Sequence, residues 1–290
     1  MPELPEVQTV VNTLLPRVKG RRIRAVRLHR NDILTPSDVD LVRSLTGRTV
    51  KGIERRGKRI VFSLDNGDRF YIHLGMSGRL TVQGADTPLV RHTHLVIELD
   101  AADGLELRFV DPRRFGGVWW LGAEADGQEM GPEPLTMKPG QLGARLKKTT
   151  RAIKNALLDQ TVIAGLGNIY VDESLFAAGI HPLTPANVLT REQITKLNRA
   201  IKSTLAKQWP VCGGFRWPKK ANWTDHVLQM CPPEDVFDGH SVLLVGYRDD
   251  PTQPGGGVFL IRNSGGDGAD GFLPYAYVSA YMNDACWIGL

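Results

Sequence analysis

The chain has 290 residues, 42% of them hydrophobic, with 36 Lys and Arg against 31 Asp and Glu for a net charge of +5. That length accommodates two domains with separate cores, and no apolar run is long enough to span a bilayer. No signal-peptide pattern follows Met1, so a soluble intracellular protein is expected. Three cysteines, Cys212, Cys231 and Cys286, include no Cys-x-x-Cys pair, which argues against a structural zinc site and against a disulfide framework. The charge is uneven: 31 basic and 22 acidic residues precede Cys212, while five basic and nine acidic residues lie from Cys212 onward. A basic first two-thirds suits a protein that binds a phosphate backbone, and the acidic remainder does not.

The chain opens on Met1-Pro2-Glu3-Leu4-Pro5-Glu6. Read structurally, this is a stiff helix start, with proline early and acids in the first turn. Read chemically, it is a nucleophile. If Met1 is removed and nothing precedes it, the secondary amine of Pro2 is free, and an α-amino group titrates near ~8. Attack of that amine on C1′ of a deoxyribose would expel the base and leave a cationic iminium. Glu3, one residue away, is placed to shuttle protons to the ring oxygen or the leaving base.

Val7, Val10, Val11, Leu14 and Leu15 predict a helix over residues 3–18, ending near Pro16 and Gly20. Short strands are expected at Arg22–Leu28, Thr49–Arg55, Arg59–Leu64, Arg69–His73, Arg79–Val82, Leu95–Leu99, Leu105–Val110 and Val118–Leu121, with Asn66-Gly67 as a hairpin turn. Together they predict a β-sandwich flanked by the N-terminal helix, as a domain over 1–125. A Gly/Pro-rich linker from Gly127 to Pro139 leads to helices at Gln141–Lys148, Arg151–Leu158, Val171–Ala178 and from Arg191 to about Gln208, a second domain over 140–208. Between them, Ala164-Gly165-Leu166-Gly167-Asn168-Ile169-Tyr170 is a glycine-rich turn feeding a helix, whose backbone N–H groups would suit a phosphate.

Several separated motifs agree on one family. Met1–Val7, Gly57-Lys58, His73-Leu74-Gly75-Met76-Ser77-Gly78, Arg91-His92-Thr93-His94, Asp111-Pro112-Arg113-Arg114-Phe115-Gly116, Gly131-Pro132-Glu133-Pro134-Leu135 and Gly165–Pro182 occur in family order. Residues 1 to about 200 resemble the formamidopyrimidine-DNA glycosylases, bifunctional enzymes that excise oxidised purines and nick the strand. The resemblance implies Pro2 as the Schiff-base nucleophile, Glu3 as its acid–base partner, and Lys58 as a phosphate contact that assists β-elimination. Without the resemblance, Lys58 reads as one more surface lysine beside Arg55, Arg56 and Arg59. Glu6 matches a second N-terminal glutamate near the lesion pocket. Met76, Arg113 and Phe115 match a triad that fills the gap left by a flipped base, a task suited to apolar wedges and an arginine fork. His92 matches a DNA contact, and Lys154, Asn168 and Tyr170 match residues that grip phosphates, with Glu173 bracing their loop. His94 reads as a structural histidine. The implied partner is damaged double-stranded DNA, met by a monomer in the bacterial cytoplasm at the nucleoid.

The resemblance breaks down toward the C-terminus. Family members usually end in a zinc finger, and its cysteine pairs and basic hairpin are missing here, so no cofactor is expected. Gln8 stands where glutamate is common. From about residue 200 the chain instead resembles the C-terminal half of a papain-like cysteine protease. The resemblance rests on Leu205-Ala206, Trp209-Pro210-Val211, Gly239 to Tyr247 and Phe259 to Gly266, with His240 and Asn263 at the positions of its histidine and orienting asparagine. The half that carries the nucleophilic cysteine is missing, so the 209–290 tail is expected to be a β-rich remnant without protease activity. Its apolar strands Val242–Val245 and Val258–Ile261 need a surface to cover them. The expected fold class is therefore α+β and multidomain. The expected activity is base excision followed by β-elimination. The alternatives are a damaged-DNA binder that has lost turnover, and a fusion product whose tail keeps a peptide-binding surface.

Overall fold

The computed structural model describes residues 2–101, 104–123, 130–206, 211–262 and 271–286. The chain divides into two compact units, Met1–Lys207 and Gln208–Gly289.

The first unit begins with α1 (Leu4–Val18), whose residues Val7, Val11, Leu14 and Val18 are buried on one face at helical spacing. The helix runs through Pro16 rather than ending there. A proline ring removes only its own N–H, and Lys19 N–H still closes the last turn on the Leu15 carbonyl at 3.0 Å. Then follow β1 (Ile23–Leu28), β2 (Leu34–Thr35), α2 (Leu41–Leu45), β3 (Val50–Arg56), β4 (Arg59–Leu64), β5 (Arg69–His73), β6 (Arg79–Gly84), β7 (Thr93–Leu99), β8 (Leu105–Val110) and β9 (Gly117–Gly122). They form a four-stranded sheet in the order β1-β7-β8-β6 and a five-stranded sheet in the order β2-β9-β5-β4-β3. Every pair is antiparallel except β2 with β9.

One hydrophobic core takes residues from both sheets and α1, giving the expected β-sandwich with its flanking helix. Inside it, Phe62 on β4 and Phe70 on β5 are register partners with stacked rings, their centroids 4.6 Å apart. Both are fully buried. Phe62→Ala is expected to lower the unfolding free energy by ~3–5 kcal/mol, read as a lower urea midpoint at unchanged slope.

The helical part of this unit comprises α3 (Pro139–Leu146), α4 (Ile153–Leu158), α5 (Asn168–Ala178) and α6 (Arg191–Ala206). α6 packs on both α3 and α5. Its contact with α5 includes a buried hydroxyl pair, Ser174 and Thr204 at 2.9 Å. α5 starts at Asn168, three residues before the expected Val171, because an outside carboxylate caps its first turn.

The second unit contains β10 (Val211–Pro218), β11 (Trp223–Thr224), β12 (Val227–Leu228), β13 (Val236–Asp249), β14 (Gly257–Arg262), β15 (Gly271–Pro274), α7 (Tyr275–Tyr281) and β16 (Met282–Cys286). The strands form one sheet in the order β11-β12-β15-β14-β13-β10-β16. The apolar strands supply their own cover: β13 pairs with β14, and Val242, Leu244 and Ile261 are buried in a core that includes Phe215, Leu273 and Tyr277.

Candidate active site

The site is assembled where the N-termini of α1 and α5 converge. Leu4 N–H donates to the Gly165 carbonyl at 3.0 Å. The Glu3 carboxylate accepts from the N–H groups of Gly167 at 2.5 Å, Ile169 at 2.9 Å and Tyr170 at 3.3 Å. Two helix N-termini facing one another repel, and a carboxylate between them answers both dipoles. A side chain at Gly167 would collide with that carboxylate. The glycine-rich turn is therefore already occupied: three N–H groups that the sequence offers to a phosphate are spent on Glu3, which lies 164 residues from Gly167 in the chain. Glu3 is 1% exposed. Burial pushes its carboxyl above the ordinary 4.5, against the pull of the three N–H groups and of Lys58.

Glu6 closes the first turn of α1 by accepting Glu3 N–H at 2.9 Å, and its other oxygen accepts the Tyr170 hydroxyl at 3.3 Å. Tyr170 is 1% exposed. Its N–H is directed to the buried Glu3 and its hydroxyl to the half-buried Glu6, so in this structure Tyr170 braces the start of α5 against α1. Pro2, half-buried, directly precedes this cluster.

Lys58 sits at the β3–β4 turn and is buried, not the surface lysine that its basic neighbours suggest. Burial pulls its ammonium below the ordinary 10.5, opposed by the nearby Glu3 and Glu6 carboxylates. The turn is held from beyond the sandwich. Glu133 accepts Gly57 N–H at 2.7 Å and pairs with Arg55 at 2.7 Å and Arg56 at 3.0 Å. Arg56 also donates to the carbonyls of Met130 and Gly131. Burial works to raise the Glu133 carboxyl, but Arg55, Gly57 N–H and Arg56 keep it below 4.5. Gln8, the departure from the family's usual glutamate, accepts Arg55 Nε–H at 2.9 Å. Glu133→Ala would remove the one carboxylate shared by Arg55, Arg56 and Gly57 N–H, leaving the arginines only their neutral acceptors. It is expected to cost about 2 kcal/mol, measured by chemical denaturation.

His73, at the end of β5, was not singled out by sequence reasoning, although it opens the His73-Leu74-Gly75 motif. Its Nδ1 accepts Gly75 N–H at 3.2 Å, and burial, followed by Lys58 and Arg59, keeps it below the ordinary 6.5. Gln160, also missed, ties the glycine-rich turn together by donating to the Leu166 carbonyl and accepting Gly165 N–H.

Met76 is 43% exposed and Phe115 57% exposed, so neither serves the core. Arg113 is exposed, with its guanidinium carbon 5.0 Å from the centre of the Phe115 ring. The loops carrying them interlock. Gly75 has φ +63°, and a side chain there would strike the backbone of Phe115 and Gly116. His92, half-buried with φ +67°, lies on the approach to β7. His94 is buried with Nε2 2.8 Å from the Asp111 carbonyl, a structural histidine as its sequence context suggests. Asn168 opens α5 and is exposed, and Lys154 pairs with Asp172 at 2.8 Å. Glu173, in the same turn of α5, is half-buried.

In the second unit His240 lies on β13 with its ring 4.5 Å from Trp217, and Asn263 falls outside the described residues. Burial, then Asp235, raises the Cys231 thiol above 9.0, the opposite of nucleophile activation. Among the described residues no group of three His, Cys, Asp or Glu converges, and a four-thiolate centre would need one cysteine more than the chain has.

Residues 1–118 match the family model for the formamidopyrimidine-DNA glycosylase N-terminal domain, and residues 130–212 match that for its H2TH domain. The chain is 46% identical to the formamidopyrimidine-DNA glycosylase of Symbiobacterium thermophilum over 71% of its own length and 70% of the relative's. It is 45% identical to that of Geobacillus kaustophilus, over 71% and 78%. The crystal structure of the Lactococcus lactis enzyme bound to DNA containing an AP site superposes with a TM-score of 0.65 at 36% identity, covering 69% of this chain and 79% of that one. A structure of MutM with DNA containing carbocyclic 8-oxo-G gives 0.66 at 35% identity, covering 70% and 77%. With both family domains matched in order over the first unit, the chain belongs to the formamidopyrimidine-DNA glycosylase family.

Proposed function

We propose that the chain is a DNA-repair glycosylase and AP lyase that excises oxidised purines, 8-oxoguanine and formamidopyrimidines, from double-stranded DNA in the bacterial cytoplasm. The observation that carries this reading is the buried Glu3 carboxyl, raised above its usual range beside Pro2 and within the field of Lys58. In this account the neutral amine of Pro2, freed by removal of Met1, attacks C1′. The C1′–N bond to the base breaks, the attacking amine gives up its proton, and the base departs with one in its place. Glu3 then protonates the sugar ring oxygen, and the nitrogen lone pair opens the ring to leave an iminium. The iminium acidifies C2′, and loss of that proton expels the 3′ phosphate. In this account Lys58, buried at the β3–β4 turn with its charged form disfavoured by burial, is the group that takes that proton.

The exposed Met76, Arg113 and Phe115 would enter the duplex where the nucleotide leaves it. Lys154 and Asn168 would hold phosphates, and Lys154 must exchange Asp172 for a phosphate oxygen as DNA binds. Asp172→Asn is therefore expected to tighten DNA binding about 3-fold at low salt, because an exposed pair of this kind is worth ~0.2–1 kcal/mol. Titration at several salt concentrations checks it, and the gain should shrink as salt rises.

The reading is tested by following base release and strand cleavage separately on a duplex with one 8-oxoguanine. Both products are expected. Lesion-selective binding without either product would make the chain a damaged-DNA binder instead.

A further inference from the structure

Asp111 is fully buried, and the mechanism above gives it no task. Its position is unusual because it joins three loops at once. The Ser77 hydroxyl donates to Oδ1 at 2.6 Å, which reaches the Met76 loop. Arg113 N–H donates to the same oxygen at 3.2 Å, and Gly116 N–H donates to Oδ2 at 2.7 Å, fixing both sides of Arg113–Phe115. Asp111 N–H donates to the His92 carbonyl at 3.1 Å, and its own carbonyl receives Arg114 N–H at 3.3 Å and lies 2.8 Å from Nε2 of His94. His92, Arg114 and Gly75 all have φ in the left-handed region, +67°, +59° and +63°. Two of these are not glycine, so the loops take a shape that local preference disfavours and that surrounding bonds must impose.

We propose that Asp111 is the positioning residue for nucleotide eversion: it presets the face formed by Met76, Arg113, Phe115 and His92 without touching DNA or the reacting atoms. The inference rests on the reading of that face as the part that enters the duplex. A carboxylate is the side chain that fits, because both of its oxygens accept. Asparagine of the same shape can offer one acceptor. Its amide nitrogen must then face either Gly116 N–H, which loses the Oδ2 acceptor, or the pair formed by Ser77 and Arg113 N–H, where Arg113 N–H is left with the Ser77 hydroxyl at 3.2 Å in place of a carboxylate oxygen. Losing a charge-assisted bond to a buried backbone donor corresponds to roughly a 30-fold effect.

The test compares the full-length, Met1-free chain with its Asp111→Asn and Ser77→Ala variants in two assays. The first follows 2-aminopurine fluorescence beside a tetrahydrofuran abasic analogue in a duplex, which reports unstacking. The second is borohydride trapping on a single-stranded abasic oligonucleotide, which needs no eversion. Asp111→Asn is expected to lose the fluorescence rise and about 30-fold in duplex excision, while single-strand trapping changes less than ~3-fold. Ser77→Ala, which leaves both backbone donors bound, should show a smaller loss of the same kind. Equal losses on the two substrates, or an intact fluorescence rise, would overturn the proposal. If Asp111→Asn does not fold, the same split in Ser77→Ala decides. If the unaltered chain traps nothing, the glycosylase reading falls, and the fluorescence comparison still decides the role of Asp111.

Discussion

Glu3→Gln is expected to lower base excision on an 8-oxoguanine duplex by about 1,000-fold, within the ~10²–10⁴ attributed to a positioned acid or base. Two losses combine. The amide cannot carry the proton that the ring oxygen or departing base requires. It also presents an NH2 group toward a site built from three backbone donors, Gly167, Ile169 and Tyr170, so the start of α5 loses part of its cap. The pH–rate profile should separate the two. Burial raises Glu3 above 4.5, so the unaltered chain keeps its acid protonated to higher pH than a solvent-exposed glutamate would, and the corresponding limb lies above the usual carboxylate range. In Glu3→Gln that limb should vanish. Glu3→Asp, which keeps the acid but shortens its reach, should retain it at a lower rate.

Lys58→Met is expected to slow β-elimination about 100-fold while raising the melting temperature at neutral pH. The opposite signs have one cause. Burial disfavours the ammonium more than Glu3 and Glu6 favour it, so its folded value lies below the ordinary 10.5. Between the folded and unfolded values the unfolded chain binds more protons. This group's contribution to stability is therefore greatest above 10.5 and is lost as pH falls through the folded value. A neutral side chain of similar length removes that cost, so the stability gain should grow from alkaline toward neutral pH. Thermal melts across that range, beside quenched assays on a pre-formed abasic site, check both halves. A variant both slower and less stable would show that Lys58 holds the cluster together through its charge.

Much of the scaffold was legible because its signals are local. Val7, Val11 and Leu14 mark the buried face of α1, and Asn66-Gly67 marks the β4–β5 hairpin. Two short elements of the first unit, β2 with two residues and the single-turn helix α2 with five, carry too few side chains to display a period and were missed. The identities of Pro2, Glu3 and Lys58 were readable from motifs, but their environments were not. Lys58 looks exposed in a run of arginines until Arg55 and Arg56 are drawn to Glu133, 78 and 77 residues ahead of them in the chain. Residues Gly165–Tyr170 look open to a phosphate because the carboxylate that fills the turn arrives from the far end of the unit. The linking role of Asp111 likewise depends on Ser77, 34 residues away. Sequence periodicity reports what a segment buries, and it is silent on which distant group arrives to satisfy it.

The central claim is that Pro2 of this chain forms a covalent bond with damaged DNA in the presence of its β-rich second unit. The direct measurement is borohydride trapping of the full-length, Met1-free protein on a duplex with one 8-oxoguanine, beside Pro2→Gly. The account predicts a trapped protein–DNA band that Pro2→Gly weakens by at least about 1,000-fold, as removal of a nucleophile does elsewhere. A folded, Met1-free chain that binds the duplex and gives no band, or a band of equal strength from Pro2→Gly, would contradict it.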